Sequence, residues 1–393
     1  MGQWSAYQTQ HLILLVGSNP LPNYVAGLLL AQQGARVALL HSEATAQVAD
    51  RLRAGLLRRR DDLRISLYQS DETEGSRIAR EVDGILRGVP PDAFVGLNYT
   101  GGTKAMAVHA YGAVQRAFPS AVFSYLRASD VSMLVHAHGS AIQVLPVGDD
   151  CQVPLKELLN LHNWPIAEIR REPILPGVRA KLMALSEDAV AEWRAWCNQA
   201  RRDAQGKEKR KADELKDTLL PQSARLRDVF SSLPPIENLG AFAALQGGSV
   251  HEAAKWLEGP WLEHEVLQRI LDLAGECHIH DCGMGIKSTR GRTNFEFDVA
   301  AMRGYQLFAL SCTTSADKGL SKSKLLEIYV RARQVGGDEA RVGLICCYDK
   351  PEELQQEIAE SWFTEGRVSV FGRRHLPDLT AYLREWFMMT DGH

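Results

Sequence analysis

The chain has 393 residues but no Cys-x-x-Cys pair, and its seven cysteines (Cys151, Cys197, Cys277, Cys282, Cys312, Cys346 and Cys347) are scattered. That spacing excludes a zinc knuckle or a dithiol redox motif, and the odd count predicts free thiols in a reducing compartment. Neither sign of charge dominates: 45 Lys and Arg against 48 Asp and Glu give a net charge of −3. A uniformly basic nucleic-acid coat is therefore excluded, and any nucleic-acid site must be local. The longest apolar runs, Leu12 to Val16 and Tyr24 to Ala31, fall far short of the ~20 residues that span a bilayer. The opening MGQWSAYQTQH has no basic n-region and no leader-like apolar stretch, so a cytoplasmic protein without membrane contact is expected. Aromatics are sparse at 7%, with 45% apolar and 24% charged residues, the composition of an ordinary globular chain. At roughly 150 residues per domain, the length predicts two or three domains.

Three blocks follow from the pattern. In residues 1–148, short apolar runs alternate with helical stretches. Strands are expected at His11–Val16, Arg36–His41, Leu63–Tyr68 and Phe94–Asn98, with closing strands at Ala121–Leu126 and Met133–His138. Helices are expected at Pro22–Gln33, ended by Gly34 as a C′ glycine, and at Thr45–Arg58, Glu74–Leu86 and Lys104–Phe118. This rhythm predicts an α/β fold with a doubly wound parallel sheet. Residues 149–250 carry little strand signal and read as a helical connector, with helices at Leu155–Leu161, Val178–Leu185, Ser186–Ala200 and Glu214–Phe230. The segment RRDAQGKEKRKADELKD, residues 201 to 217, reads either as a solvated helix or linker or as a basic strip facing phosphates. Residues 251–393 give a helix at Trp261–Ala274, a glycine-rich turn region at Cys282–Gly291, and strands at Phe295–Met302 and Gln306–Cys312. A helix at Lys322–Val335, a strand at Arg341–Cys347 and a helix near Leu376–Phe387 complete that block.

Between a strand and a helix of the first block lies Asn98-Tyr99-Thr100-Gly101-Gly102-Thr103-Lys104. Two glycines permit a tight turn with bare N–H groups, the helix N-terminus adds a positive dipole, and Lys104 adds a charge. Thr100 and Thr103 add hydroxyl donors, a set suited to a phosphodiester. The loop matches neither GxxxxGK[ST] nor GxGxxG, which disfavours an NTPase and a dinucleotide cofactor. Ser18 and Asn19, in the loop after the first strand, fall at the same carboxyl end of the sheet, where ligands of open parallel sheets bind. They read equally as turn formers. With Asn98, Thr100, Gly101, Gly102, Thr103, Lys104 and Met106 in the pattern NxTGGTKxM, the first block resembles the CARF sensor of CRISPR type III ancillary proteins. The resemblance implies a cyclic oligoadenylate ligand, most often cyclic tetra-adenylate, bound across a homodimer. A ring of identical nucleotides has the rotational symmetry that two copies of one loop can grip.

In the third block, Glu263 stands on the predicted helix, and Glu296 and Asp298 lie on one face of the following strand. A helix carboxylate and a strand carboxylate beside a second strand commonly assemble a Mg²⁺ or Mn²⁺ site. The order resembles the PD-(D/E)xK nuclease fold, and most of the chain, with the middle block as connector, resembles CARF-fused CRISPR ancillary nucleases of restriction-endonuclease-like architecture. Glu263 and Asp298, with the carbonyl of Cys312, are then the expected metal ligands. That family carries an acid and, two residues on, a lysine on the second strand; here those positions are Ser311 and Thr313. Either the charges have migrated to the segment holding Lys318, Lys322, Lys324 and Glu327, with Lys324 the best substitute, or catalysis is lost. The expected function is a cyclic-oligoadenylate-activated, metal-dependent nuclease cutting RNA or DNA. The alternative is a ligand-gated module that binds nucleic acid or protein without chemistry. His278, His280 and Asp281 lack a well-spaced third ligand and read as loop or strand edge, and Trp256 and Trp261 read as core.

Overall fold

In the computed structural model, residues 2–137, 140–202, 212–291, 293–362, 364 and 366–389 are described. The first half runs β1 (Thr9–Leu15), α1 (Leu21–Leu30), β2 (Ala31–His41), α2 (Ala46–Arg59), β3 (Arg64–Gln69), α3 (Gly75–Leu86), β4 (Val95–Asn98), α4 (Lys104–Ala117) and β5 (Val122–Arg127), followed by β6 (Ser132–Ala137) and β7 (Gln143–Pro146). The strands lie in the order β3-β2-β1-β4-β5-β6-β7, parallel as far as β5 and antiparallel beyond it. Side chains of α1 and α2 cover one face and those of α3 and α4 the other. This is why β1 and β4 read as nearly unbroken apolar runs. Strand order reverses between β1 and β4, which opens a crevice at their carboxyl ends. Gly34 does not cap a helix as expected. The helix stops at Leu30, and Gly34, at φ +72°, sits in an irregular stretch of β2 where the β1 partner jumps from Ala31 to Arg36.

The middle of the chain holds α5 (Leu155–Leu161), β8 (Ile166–Arg170), α6 (Pro176–Met183), α7 (Glu187–Ala200), α8 (Ala212–Lys216), α9 (Leu239–Gln246) and α10 (Val250–Glu258). The stretch read as a helical connector with little strand signal therefore contains a strand. The long helix expected at Glu214–Phe230 is reduced to α8 and a short 3₁₀ turn at Arg227–Phe230, because Pro221 stands where a helix interior would have to continue. Of the basic segment, residues 203–211 lie outside the described residues.

The last third runs α11 (Trp261–Leu273), β9 (Ile279–Arg290), β10 (Thr293–Arg303), β11 (Gln306–Cys312), α12 (Lys318–Gly336), β12 (Arg341–Ile345), α13 (Pro351–Trp362), β13 (Val368–Phe371) and α14 (Leu379–Met388). These strands form a second sheet in the order β13-β12-β11-β10-β9-β8, so β8 is its edge. The glycine-rich region expected as a turn is strand β9. Within it Gly283 serves packing: a Cβ there would lie 2.6 Å from Ile169 Cδ1 of β8, so glycine lets the edge strand close in. One contiguous core joins the sheets, uniting Leu12 and Leu14 of β1, Leu155 and Leu158 of α5, Phe297 of β10, and Leu325 and Ile328 of α12. The other face of the second sheet packs on α11 and α14.

Candidate functional site

At the crevice of the first sheet, Asn98 ends β4 fully buried. Its Oδ1 accepts from Thr100 N (3.2 Å) and its Nδ2 donates to Ser124 Oγ (3.0 Å), which starts the turn. Thr100 Oγ1 accepts from Leu126 N at 2.7 Å. Thr103 caps α4 by accepting from Met106 N (3.1 Å) and donates its proton to Glu72 O (2.6 Å). Thr103 thus spends its hydroxyl donor on the fold and offers a ligand only its backbone, contrary to the expectation of two free hydroxyl donors. Gly101 must be glycine, since a Cβ there would stand 2.3 Å from Leu15 O, and Gly102 has φ +74°. Lys104 is exposed and makes no ion pair among the described residues. The β1 loop packs directly on this turn: a Cβ on Gly17 would lie 3.0 Å from Gly102 N. Ser18 is exposed. Asn19 turns away, its Oδ1 accepting from Leu21 N at 3.0 Å and its Nδ2 lying against Gly337.

Beside the loop, at the carboxyl ends of β2 and β3, opens a cavity of about 880 Å³ lined by Ser42, Gln69, Ser70, Glu72, Arg77 and Arg80, among others. Ser70 Oγ is buried there without a hydrogen-bond partner. Sequence reasoning missed these residues, although the rule that ligands sit at strand carboxyl ends applies to the loops after β2 and β3 as much as to the two it singled out.

The second site lies where β10 meets β11, between α11 and α12. Along β10 the buried side chains change faces: Phe295 and Phe297 belong to the core shared with the first sheet, and Val299 and Ala301 to the opposite one. In neighbouring β9, Ile286 and Met284 change faces in the same way across Gly285, at φ +54°. Asp298 sits at this switch. Ser311 Oγ (2.8 Å) and Cys312 N (2.7 Å) both donate to its Oδ2, and Lys324 Nζ stands 4.0 Å from the same oxygen. Among the described residues, no hydrogen bond reaches Oδ1. Glu263, on the first turn of α11, is pushed up to about 8 by burial first, then by the negative charges of Asp298 and Glu296, with Lys324 and Arg170 opposing. Glu296, Asp298, Ser311, Lys324 and Glu327 line a recess of about 190 Å³. Glu263, Glu296 and Asp298 also face a wider groove of about 960 Å³, which Arg170, Arg171, Lys255 and Lys287 line as well.

The structure therefore gathers Glu263, Asp298, Ser311, Cys312 and Lys324 at one place and sorts the lysines offered as substitutes. Lys318 and Lys322 pair with Glu357 of α13 at 2.7 and 2.6 Å, leaving Lys324 for the cleft. Thr313 does not reach Asp298: its hydroxyl accepts from Ser315 N at 3.2 Å. Arg170 was missed because β8 lies within the stretch read as a helical connector with little strand signal. His278 pairs with Asp149 (2.8 Å), His280 with Gly304 O (2.8 Å), and Asp281 accepts from Leu155 N (2.8 Å), so this trio braces the fold. Trp256 and Trp261 are buried, as are all seven cysteines, which are free thiols.

The donor chemistry at Asp298 suits a hard divalent cation. Among the described residues, no three His, Cys, Asp or Glu side chains form a ready cage. Mg²⁺, however, usually takes one or two carboxylates and completes its shell with water and substrate oxygens. Glu263, the unengaged Oδ1 of Asp298 and the Cys312 carbonyl, which in a strand leaves on the same edge as the N–H that Asp298 holds, match that requirement.

No family model and no curated protein matches the chain. Among solved structures it is similar to Can2 from Sulfobacillus thermosulfidooxidans in complex with cyclic tetra-adenylate (17% identity, 97% of this chain and 98% of that one, TM-score 0.71). Protein VC1899 from Vibrio cholerae is similar over 96% of this chain and 97% of its own (15% identity, TM-score 0.67). A type III CRISPR defence DNA nuclease activated by cyclic oligoadenylate aligns with 90% of this chain and 52% of its own (17% identity, TM-score 0.51). At these identities the likeness shows a shared fold, and it extends over both sheets.

Proposed function

We propose that the chain is a cyclic-oligoadenylate-activated, metal-dependent nuclease of type III CRISPR defence, working as a homodimer. The observation that carries this reading is Lys324 beside Asp298 and Glu263: a cation and two carboxylates remain together although the strand positions for an acid and a lysine hold Ser311 and Thr313. The shared fold with a protein solved in complex with cyclic tetra-adenylate supports the sensing half. The activator would rest on the N–H groups of Gly101, Gly102 and Thr103, on Thr100, Lys104 and Ser18, and on the loops holding Ser42 and Ser70.

Glu263, Asp298 and the Cys312 carbonyl would hold Mg²⁺ or Mn²⁺. When bound, the ion would supply an activated water and charge neutralisation at the phosphate. Ser311 and the Cys312 N–H fix Asp298 in one rotamer through Oδ2. Lys324 offers its ammonium to the charge that grows on the scissile phosphate, the role of a preorganised donor. Arg170, which lines the same groove, would face a neighbouring phosphate of the bound strand.

A second reading is favoured by one feature: Asp298 Oδ2 is already engaged by Ser311 and Cys312, which suits a ligand-gated binding module without chemistry. Incubation with Mn²⁺ and labelled RNA, single-stranded DNA or plasmid, with and without cyclic tetra-adenylate, separates the two. Activator-dependent cleavage supports the nuclease, whereas binding without cleavage under any metal supports the module.

A further inference from the structure

The loop after β1 has two working sides. On one, Gly17 lies against Gly102, so a ligand seated on the Gly102 N–H presses on this loop. On the other, Asn19 Nδ2 stands 2.6 Å from the point that a Cβ on Gly337 would occupy, at the end of α12. Glu339 Oε2 lies 2.6 Å from that same point, and Glu339 is only 3% exposed. Gly337 must be glycine on two counts, its φ of +69° and the two polar atoms crowding it. Asn19 is also held from behind, because its Oδ1 accepts from Leu21 N. Its amide therefore packs, from the loop that leads into α1, against the end of a helix in the other half of the molecule.

That helix carries Lys324. Thirteen residues separate Lys324 from Gly337, about 20 Å of helix at 1.5 Å per residue. No proline interrupts it, and Leu325, Ile328, Ala332 and Val335 lock its buried face into the core that joins the sheets. Its last turn rests on β11, where a Cβ on Gly336 would lie 3.0 Å from Leu307 Cβ. A rod packed in this way shifts as a unit, because dense cores do not deform gradually. At 4.0 Å from Asp298, Lys324 stands at the outer limit of an ion pair, so a small shift of the helix makes or breaks it.

We propose that Asn19 is a positioning residue: through Gly337 it sets the stance of α12, and hence of Lys324, coupling the glycine-loop crevice to the carboxylate cleft. This rests on the ligand-sensing nuclease reading and reassigns Asn19 from ligand contact to domain joint.

The test uses the full-length protein, with cyclic tetra-adenylate as probe. Calorimetry measures its binding, and hydrogen exchange of peptides spanning residues 318–340 is followed with and without it. Wild type is compared with Asn19→Asp, Gly337→Ala and the double variant Asn19→Asp/Glu339→Gln. Asn19→Asp keeps the acceptor for Leu21 and the side-chain shape, so folding is retained. What changes is the amide nitrogen, replaced by a second carboxylate oxygen beside Glu339. Expected is a ligand-dependent change in exchange over 318–340 in the wild type that is lost in both single variants, with ligand binding retained. The ratio of cleavage with activator to cleavage without it should fall about tenfold, the usual size of a coupling factor. The double variant, which removes the charge conflict, should recover the coupling. If wild type and single variants respond alike, the positioning role is overturned while the sensing reading stands. If wild type binds no ligand at all, both fall together.

Discussion

Lys324 Nζ lies 4.0 Å from Asp298 Oδ2, with the ammonium on a helix and the carboxylate on a strand 26 positions earlier in the chain. Ser311 holds the same oxygen at 2.8 Å from the strand position where the resembled nucleases carry an acid.

If that ammonium serves the phosphate, Lys324→Ala should slow single-turnover cleavage by about 10²–10³-fold, the loss for one preorganised donor. Lys324→Arg should retain part of the rate. Asp298→Ala should remove cleavage altogether while cyclic tetra-adenylate binds as in the wild type. Unchanged cleavage in Lys324→Ala would assign the lysine to structure alone.

Glu263 is pushed up to about 8, so near neutral pH the metal-free cleft is largely protonated there. A divalent ion needs the carboxylate. Metal affinity should therefore rise with pH up to about 8 and level off above it, and binding at pH 7 should release a proton. Calorimetry in two buffers of different ionisation heat measures that release, which should vanish in Glu263→Gln.

In the crevice, Lys104→Ala should weaken cyclic tetra-adenylate binding by roughly 1.5–3 kcal/mol, the range for a charged hydrogen bond. Its melting temperature should not move, because Lys104 is exposed. Gly101→Ala should fail differently: a Cβ 2.3 Å from Leu15 O must push the turn off β1, lowering both stability and affinity.

A symmetric ring gripped by two copies of one loop requires two chains. Light scattering at micromolar concentration should give twice the chain mass, and calorimetry one ring per two chains. A monomer with ligand present would contradict the shared site.

Burial, with Asp338 adding to it, raises Glu339 to about 7. Between its ordinary value of 4.5 and about 7, the folded chain holds a proton that the unfolded chain has lost. Stability should accordingly fall as pH rises through this window and stay lower above it. Glu339→Gln should remove that slope and, at pH 8, raise stability by on the order of 3 kcal/mol at 1.36 kcal/mol per pH unit. Denaturant titrations at pH 5 and pH 8 measure both.

The doubly wound first half was legible because strands covered on both faces read as plain apolar runs, and because Gly101 and Gly102 mark a closely packed strand-to-helix turn. The run Gln306–Cys312 was legible for the same reason, being buried throughout. Strands β8 and β13 were not: β4 is as short but buried throughout, whereas β8 carries two charges in five residues and β13 a half-buried serine, which blurs the apolar run. In β9, Gly283, which admits the neighbouring strand, looked like a turn former. For the lysines, spacing on a helix held the missing information. Lys322 and Lys324 are about 200° apart at 3.6 residues per turn, so they cannot share a partner. Lys324 precedes buried Leu325 and stands four residues before buried Ile328, which puts it on the rim of the face that meets the sheet.

Strand β8 comes from the stretch between the two large blocks yet closes the edge of the second sheet. Recombination would therefore not respect a border near residue 250. A chimera carrying only the last third would leave β9 as an open edge inviting intermolecular pairing, and would lose Arg170 from the groove. The smallest graft that transfers the cleft intact begins just before Ile166, in the short link between β8 and α5, the helix that packs on α2.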